Sequence, residues 1–190
     1  MMIPKTIHYC WFGGNEKSDF IKKCIDTWKA KLPDYEIIEW NESNFDVNIC
    51  DFTKKAYKNK KWAFVADYAR LYALYNYGGI YLDTDVEMVK EFTDELLSQT
   101  AFLGFEDLDH VSTACIGASK QSDFIKYCLN YYDQIHYTED DELCMVPNSE
   151  IIYKKLFPKG IESIKNNCKL DDVMVYSYDY FSPKEYRNYC

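Results

Sequence analysis

Asp83 and Asp85 stand two residues apart, directly after the short apolar run Ile80-Tyr81-Leu82. Carboxylates at i and i+2 of an extended chain point to the same side, and where a strand gives way to a turn both can converge on one hard cation. Two protein carboxylates leave coordination positions open, which is how Mg2+ or Mn2+ sites that also bind substrate phosphates are built. In isolation so short a pair more often marks a solvated turn, so the meaning rests on what surrounds it.

The residues before the pair read as the element that positions it. From Trp62 to Tyr77 the side chains are aromatic, aliphatic or alanine almost all round, and only Asp67, Arg70 and Asn76 interrupt them. A helix of that composition is buried on most faces. Gly78-Gly79 supplies the left-handed residue that ends it, and the chain resumes as a central strand that stops on the carboxylates. Asp67 and Arg70, three apart, share a face of this helix and can form an ion pair; a charged pair on an apolar helix needs partners. Trp11 ends an N-terminal strand next to Gly13-Gly14, where it can stack on a ring or simply pack at the rim. Tyr81 can reach the site from the strand or belong to the core.

Two separated stretches resemble the DXD-containing glycosyltransferases of family 32, which include capsular-polysaccharide transferases and mannosyltransferases and are related to clostridial glucosylating toxins. One is Ala66-Asp67-Tyr68-Ala69-Arg70 followed by Tyr77-Gly78-Gly79-Ile80-Tyr81-Leu82-Asp83-Thr84-Asp85; the other is Ile3-Pro4-Lys5-Thr6-Ile7-His8-Tyr9-Cys10-Trp11-Phe12-Gly13. The likeness covers the first half well and the remainder weakly. It implies a nucleotide-sugar donor, UDP-linked by preference, and transfer of a hexose to a glycan or lipid-linked acceptor in surface polysaccharide synthesis, with retention at the anomeric carbon. It also implies roles. Asp83 and Asp85 hold Mn2+ or Mg2+, and Arg70 acts with them in catalysis. The nucleotide sugar is contacted by Cys10 through its backbone, by Trp11 under the base, and by Asp67, Arg70, Tyr81 and Asp83. In that family a further segment rich in His, Ser and Trp follows the region like Tyr180-Phe181-Ser182-Pro183 and folds over the donor; the expectation is one domain over residues 1–190 without this lid.

The 190 residues carry a formal net charge of −9, which argues against nucleic acid as a partner, because a polyphosphate backbone requires a basic footprint. A hydrophobic fraction of 47% suits a substantial core, and 18 tyrosines suit ring-stacking surfaces as well as ordinary packing. No apolar run has the length of a membrane span, and Met1-Met2-Ile3-Pro4-Lys5 lacks the apolar core of a signal peptide, so a cytoplasmic chain is expected. Five lysines between Lys54 and Lys61 form either a solvated helix face or a peripheral contact with an anionic membrane. The eight cysteines are scattered with no C-x-x-C pair and read as reduced core thiols.

Along the chain the pattern predicts a strand over Ile3 to Phe12, a helix from Asp19 to Lys31 capped by Ser18, and a strand over Tyr35 to Trp40. After the aspartates it predicts an amphipathic helix over Lys90 to Gln99 and strands over Ala101 to Phe105 and Thr113 to Ala118. The acidic loop Glu106-Asp107-Leu108-Asp109-His110 between those strands can line an acceptor pocket. A helix follows Ser122, an acidic turn spans His136 to Glu142, a helix runs from Pro147-Asn148-Ser149 through Phe157, and Val173 to Phe181 reads as a late edge strand. The fold expected is α/β, a GT-A-like three-layer domain with a mixed, mostly parallel central sheet.

Two other readings compete. Asp83-Thr84-Asp85-Val86 is similar to the haloacid-dehalogenase phosphatases, with Asp83 as nucleophile and Asp171-Asp172 as the distal acids, though Glu87 stands where that motif has Thr or Val. A sugar-nucleotide-binding module without turnover is the non-enzyme alternative. An EF-hand is excluded by Met88 where the loop requires glycine.

Overall fold

The computed structural model describes residues 2–107, 110–136, 145–160 and 166–181. The elements in chain order are β1 (Thr6–Cys10), α1 (Asp19–Lys31), β2 (Glu36–Trp40), α2 (Asp51–Lys58), α3 (Trp62–Tyr77), β3 (Gly79–Leu82), α4 (Asp94–Leu97), β4 (Ala101–Phe105), β5 (Val111–Ala118), α5 (Asp123–Asp133), α6 (Asn148–Leu156), β6 (Cys168–Leu170), β7 (Val173–Tyr176) and α7 (Tyr178–Phe181). The strands form one sheet in the order β2-β1-β3-β5-β4-β7-β6. β1 is parallel to both β2 and β3, β5 runs antiparallel between β3 and β4, β7 is parallel to β4, and β6 is antiparallel to β7. Five of the seven strands therefore point one way, so the sheet is mixed but mostly parallel in direction.

Strand alternation splits the core into two layers. On one face Tyr81, Leu103, Phe105, Val173 and Val175 pack with α2, α3, α5 and α6. On the other, Ile7, Ile80, Leu82, Phe102 and Tyr176 pack with α1 and α4, and Trp28 of α1 is fully buried there. Helices on both faces of the sheet make three layers.

The turn from α3 into β3 fixes where the aspartates emerge. Gly78 and Gly79 both have positive φ, +68° and +112°, and a Cβ at Gly79 would stand 2.5 Å from the Thr6 carbonyl. No other residue fits there. His8 of β1 ties the turn down. The Trp40 indole N–H donates to His8 Nδ1 at 3.1 Å, so Nε2 carries the proton and donates to the Gly78 carbonyl at 2.8 Å. Burial holds this imidazole below its ordinary pKa of 6.5, against the backbone bond to Gly78, which favours the cation. The folded state thus resists a proton that the unfolded chain accepts, so stability falls as pH drops below about 6.5. The slope contributed is at most about 1.4 kcal/mol per pH unit. Urea melts of parent and His8→Gln between pH 7.5 and 5 isolate this contribution, and equal slopes in the two would contradict it.

Several expectations are corrected. The helix expected over Lys90 to Gln99 shrinks to Asp94–Leu97, because Thr93 caps it with its side chain and Phe92 before it is held against Tyr35 and Phe102. The late edge strand over Val173 to Phe181 is a strand only to Tyr176 and is not at the edge: β6, absent from the sequence reading, pairs outside it, and Tyr178–Phe181 turns helical. The β1 ladder is shorter than Ile3 to Phe12, and β5 begins two residues earlier than expected. The six cysteines among the described residues are free thiols, four of them buried. The turn over His136 to Glu142 and the Ser182-Pro183 stop lie outside the described residues, apart from His136 itself.

Candidate active site

The carboxyl ends of β1 and β3 lie side by side, and between them and α3 opens a cavity of about 430 Å3. Its wall includes Cys10, Trp11 and Phe12 from the end of β1, Trp62, Ala63, Ala66 and Arg70 from α3, and Tyr81, Asp83, Thr84 and Asp85 from β3 and its exit. That volume is within the range of small-molecule sites, roughly 300–1,000 Å3. Of the seven residues singled out in the sequence, six line it; Asp67 lies behind Arg70 instead.

Arg70 organises the charges. Its Nη1 is 3.3 Å from Asp83 Oδ1 and its Nη2 is 3.3 Å from Asp67 Oδ1. Nη1 also donates to the Thr113 carbonyl at 2.9 Å and Nε to the Ala66 carbonyl at 3.2 Å, while the guanidinium carbon sits 4.3 Å from the centre of the Tyr81 ring. Burial opposes this charge, but Tyr81, Asp83 and Asp67 hold it above its ordinary pKa, so it is a permanent cation at the cavity floor. Burial pushes Asp67 up to about 6, with Arg70 pulling the other way. Its remaining contacts come from Asn148, whose backbone N–H reaches Oδ2 and whose side chain reaches the Asp67 carbonyl, each at 3.4 Å.

Asp83 is oriented by the Tyr81 hydroxyl, which donates to Oδ1 at 2.9 Å. Both contacts to this carboxylate fall on Oδ1, so Oδ2 has no bond among the described residues and the side chain is a third exposed. Asp85 is exposed. The turn holding them is pinned: the Asp83 N–H donates to the Ala114 carbonyl, and the Trp28 indole of α1 donates to the Val86 carbonyl at 2.7 Å. Hard oxygen donors with open valences on a fixed turn suit Mg2+ or Mn2+, two protein ligands with the rest from phosphate and water. No cluster of three or more metal-ligating side chains occurs among the described residues. Cys10 offers no ligand, since burial pushes its thiol up to about 12.

Trp11 is half-buried, its indole N–H donating to the Asn15 carbonyl and Lys17 Nζ 5.2 Å from the ring centre. Facing the same cavity is Trp62, which sequence reasoning assigned to the core helix. A Cβ on Gly13 would come within 2.6 Å of the Trp62 ring, and Gly13 has φ +90°. Glu42 braces this contact, accepting from the Gly13 N–H at 2.7 Å and from the Tyr57 hydroxyl, and Tyr57 meets Trp62 edge-on. Thr113 and Asn148 were also missed, because their partners lie 43 and 81 residues away and no local pattern marks them. Asp171 and Asp172 turn between β6 and β7 at the opposite edge of the sheet, with Asp171 3.8 Å from Lys155. They cannot serve Asp83 as distal acids, which removes a support of the phosphatase reading.

Comparison with known proteins agrees with this geometry. Residues 18–103 match the family described as the glycosyltransferase sugar-binding region containing the DXD motif. The inositol phosphoceramide mannosyltransferase 3 of Schizosaccharomyces pombe is 27% identical over 149 residues, covering 68% of this chain and 39% of that protein. The chain thus spans about two fifths of the length of this curated relative. Among solved structures, the PaToxG glycosyltransferase superposes with a TM-score of 0.62 at 20% identity, covering 83% of this chain and 70% of the other. A transferase carrying two cysteine-to-serine substitutions superposes with a TM-score of 0.51 at 10% identity, covering 87% and 90%. These structural likenesses show a GT-A-type fold. The stretch of residues 18–103 is thus similar to a glycosyltransferase sugar-binding region, and Asp83-Thr84-Asp85 is the D-x-D that it contains.

Proposed function

We propose that this chain is a single domain that transfers a hexose from a nucleoside-diphosphate sugar, UDP-linked by preference, to a glycan or lipid-borne acceptor. The observation that carries it is the placing of Asp83, with Oδ2 unbonded among the described residues, on the wall of a cavity whose floor is the buried Arg70 cation. The name of the yeast relative, a mannosyltransferase acting on inositol phosphoceramide, supports a hexose and a lipid-borne acceptor. Surface polysaccharide synthesis is the role in keeping with the family resemblance. No helix among the described residues is long and apolar enough to cross a membrane. The exposed Lys54, Lys58, Lys60 and Lys61 give a face for contact with an anionic surface from the cytoplasmic side.

Asp83 and Asp85 would hold a divalent cation, which would supply neutralisation of the leaving group. The chain's own residues do the rest. Arg70 presents fixed positive charge where negative charge develops as the bond from the anomeric carbon to the diphosphate breaks. Asp67 and Thr113 keep its fork aimed, and Tyr81 holds the Asp83 carboxylate in one rotamer. The electron pair of the breaking bond stays on the diphosphate, the acceptor oxygen bonds the anomeric carbon, and the acceptor proton passes to the departing phosphate. Retention follows if attack is from the leaving-group face, which agrees with the absence of any need for a protein nucleophile. Trp11 and Trp62 stack the base from the cavity walls, and the Cys10 backbone bonds its edge.

Titration calorimetry with UDP-sugars, with and without Mn2+, tests the reading. Binding is expected only with the cation, because the aspartates otherwise repel the diphosphate; equal affinity in excess chelator would overturn it. Trp11→Ala is expected to weaken nucleotide binding by about 1–3 kcal/mol, the scale of one base-aromatic stack, while Trp11→Phe keeps most of it. If both variants unfold in a thermal melt, Trp11 is packing and no platform. Turnover measured on the same preparations separates an enzyme from a binding module.

A further inference from the structure

Of the four tryptophans, three fix their rings through the indole N–H. Trp11 donates to the Asn15 carbonyl, Trp28 to the Val86 carbonyl and Trp40 to His8 Nδ1. Trp62 makes no hydrogen bond among the described residues, although it is half-buried on the wall of the cavity described above. It is also the first residue of α3, whose N-cap Lys61 makes no side-chain capping bond. The orientation of this ring is therefore set by what packs against it.

Two groups lie against Trp62, and one carboxylate oxygen holds both. A Cβ on Gly13 would stand 2.6 Å from Trp62 Cε2 and 2.7 Å from Nε1, so the bare Gly13 Cα rests on that edge of the indole. Tyr57 of α2 meets the ring edge-on, with centroids 5.1 Å apart. Glu42, in the loop after β2, accepts from the Gly13 N–H at 2.7 Å and from the Tyr57 hydroxyl at 3.2 Å, both on Oε1. Burial opposes the Glu42 charge, but those two bonds and one from its own backbone hold the carboxyl below its ordinary pKa of 4.5, so the acceptor is ionised at neutral pH. Glu42 thus joins the exits of β1 and β2 to α2, and the three segments close round Trp62.

We infer that Glu42 is a positioning residue for nucleotide binding: by holding Gly13 and Tyr57 against Trp62 it keeps that ring in place on the cavity wall and so sets the affinity for the nucleoside end of the donor. The inference rests on the nucleotide-sugar reading above and adds the residue that shapes its base slot. Glu42 is not itself on the cavity wall, so it acts through Trp62. What the arrangement needs is one oxygen that takes two donors. An amide oxygen can take the same two, and alanine can take neither. With the clasp gone, the bound base must bear the cost of ordering the ring.

The test labels the full chain with 5-fluorotryptophan and identifies the Trp62 fluorine resonance as the one missing from Trp62→Phe. In nucleotide-free protein Glu42→Ala is expected to shift or broaden that resonance and to leave those of Trp28 and Trp40 in place, while Glu42→Gln restores it. Titration calorimetry with UDP and Mn2+ should show Glu42→Ala weakened about three- to tenfold, the scale of ordering one loosened side chain, and Glu42→Gln close to the parent. In a Trp62→Leu background Glu42→Ala should have no further effect, because a residue that acts through Trp62 has nothing left to place. An unmoved Trp62 resonance overturns the inference, as does a loss in Glu42→Ala that persists beside Trp62→Leu, or a Trp62→Leu variant that binds UDP as the parent does. If Glu42→Ala does not melt cooperatively, Tyr57→Phe, which drops one of the two bonds and keeps the ring, is read in its place by the same criteria. A parent that binds no UDP contradicts the proposed donor, while the fluorine signal, taken without nucleotide, still decides whether Glu42 places Trp62. UDP binding with an unmoved resonance contradicts the role of Glu42 alone.

Discussion

Asp83→Asn should leave a folded protein that has lost donor turnover by a factor of about 10²–10³ or more, the scale of removing one preorganised charge-stabilising group. The substitution is nearly isosteric and its Oδ1 still accepts from the Tyr81 hydroxyl, so the turn after β3 keeps its shape. What disappears is the negative charge that would hold a cation against the diphosphate, and with it the balance against Arg70 at 3.3 Å. Asp85→Asn should act in the same direction, with a change in stability within about 0.5 kcal/mol because the side chain is exposed. Steady-state hydrolysis of UDP-sugars with Mn2+, alongside thermal melts, separates the two quantities. Normal turnover in Asp83→Asn would remove the cation bridge; a melt collapsed in both variants would mean that the pair serves the fold.

The largest structural effect is expected at Arg70. Arg70→Ala should cost about 3–5 kcal/mol, the usual penalty for stranding one partner of a buried pair. Asp67, 7% exposed, would be left with only the long contacts from Asn148, and the Thr113 carbonyl would lose its donor. Asp67→Asn in the Arg70→Ala background should recover part of the loss, since a neutral amide is cheaper to bury than an unpaired carboxylate. Arg70→Lys should not substitute, because one ammonium cannot bridge Asp67, Asp83 and Thr113 as the planar fork does. The pH dependence has a definite sign. Arg70 lowers the pKa of the buried Asp67, so its removal lets burial raise that carboxyl further. The folded variant then binds more protons than the folded parent, and the deficit should shrink as pH falls from 8 toward 5. Urea melts at the two pH values decide it, and a deficit below about 1 kcal/mol, or no recovery with Asp67→Asn, would show that the pair contributes little.

Local sequence determined those elements whose signals act over a few residues. The Ser18 cap and the apolar face of Cys24, Ile25 and Trp28 set α1 with its exact ends, and the unbroken apolar surface from Trp62 to Tyr77 set α3. Gly78-Gly79 and the carboxylates after Leu82 marked the turn and the candidate site, because only glycine tolerates those φ values and charge does not continue a buried strand. Tertiary structure decided what depends on distant partners. β6 has three residues and no apolar alternation, so nothing marked it until β7 paired with it, and that pairing moved β7 from the edge to the interior of the sheet. The sequence could not tell Trp62 on a cavity wall from Trp62 in a core, since both are apolar environments and the difference is made by Gly13, 49 residues earlier in the chain. The partners of Arg70 and Asp67 followed from the antiparallel insertion of β5 beside β3 and the docking of α6, contacts that no pattern of neighbouring residues encodes. Residue types thus determined what chemistry this chain can do, and long-range packing decided which of those residues meet, because register and docking are set by the joint burial of faces that lie far apart in sequence.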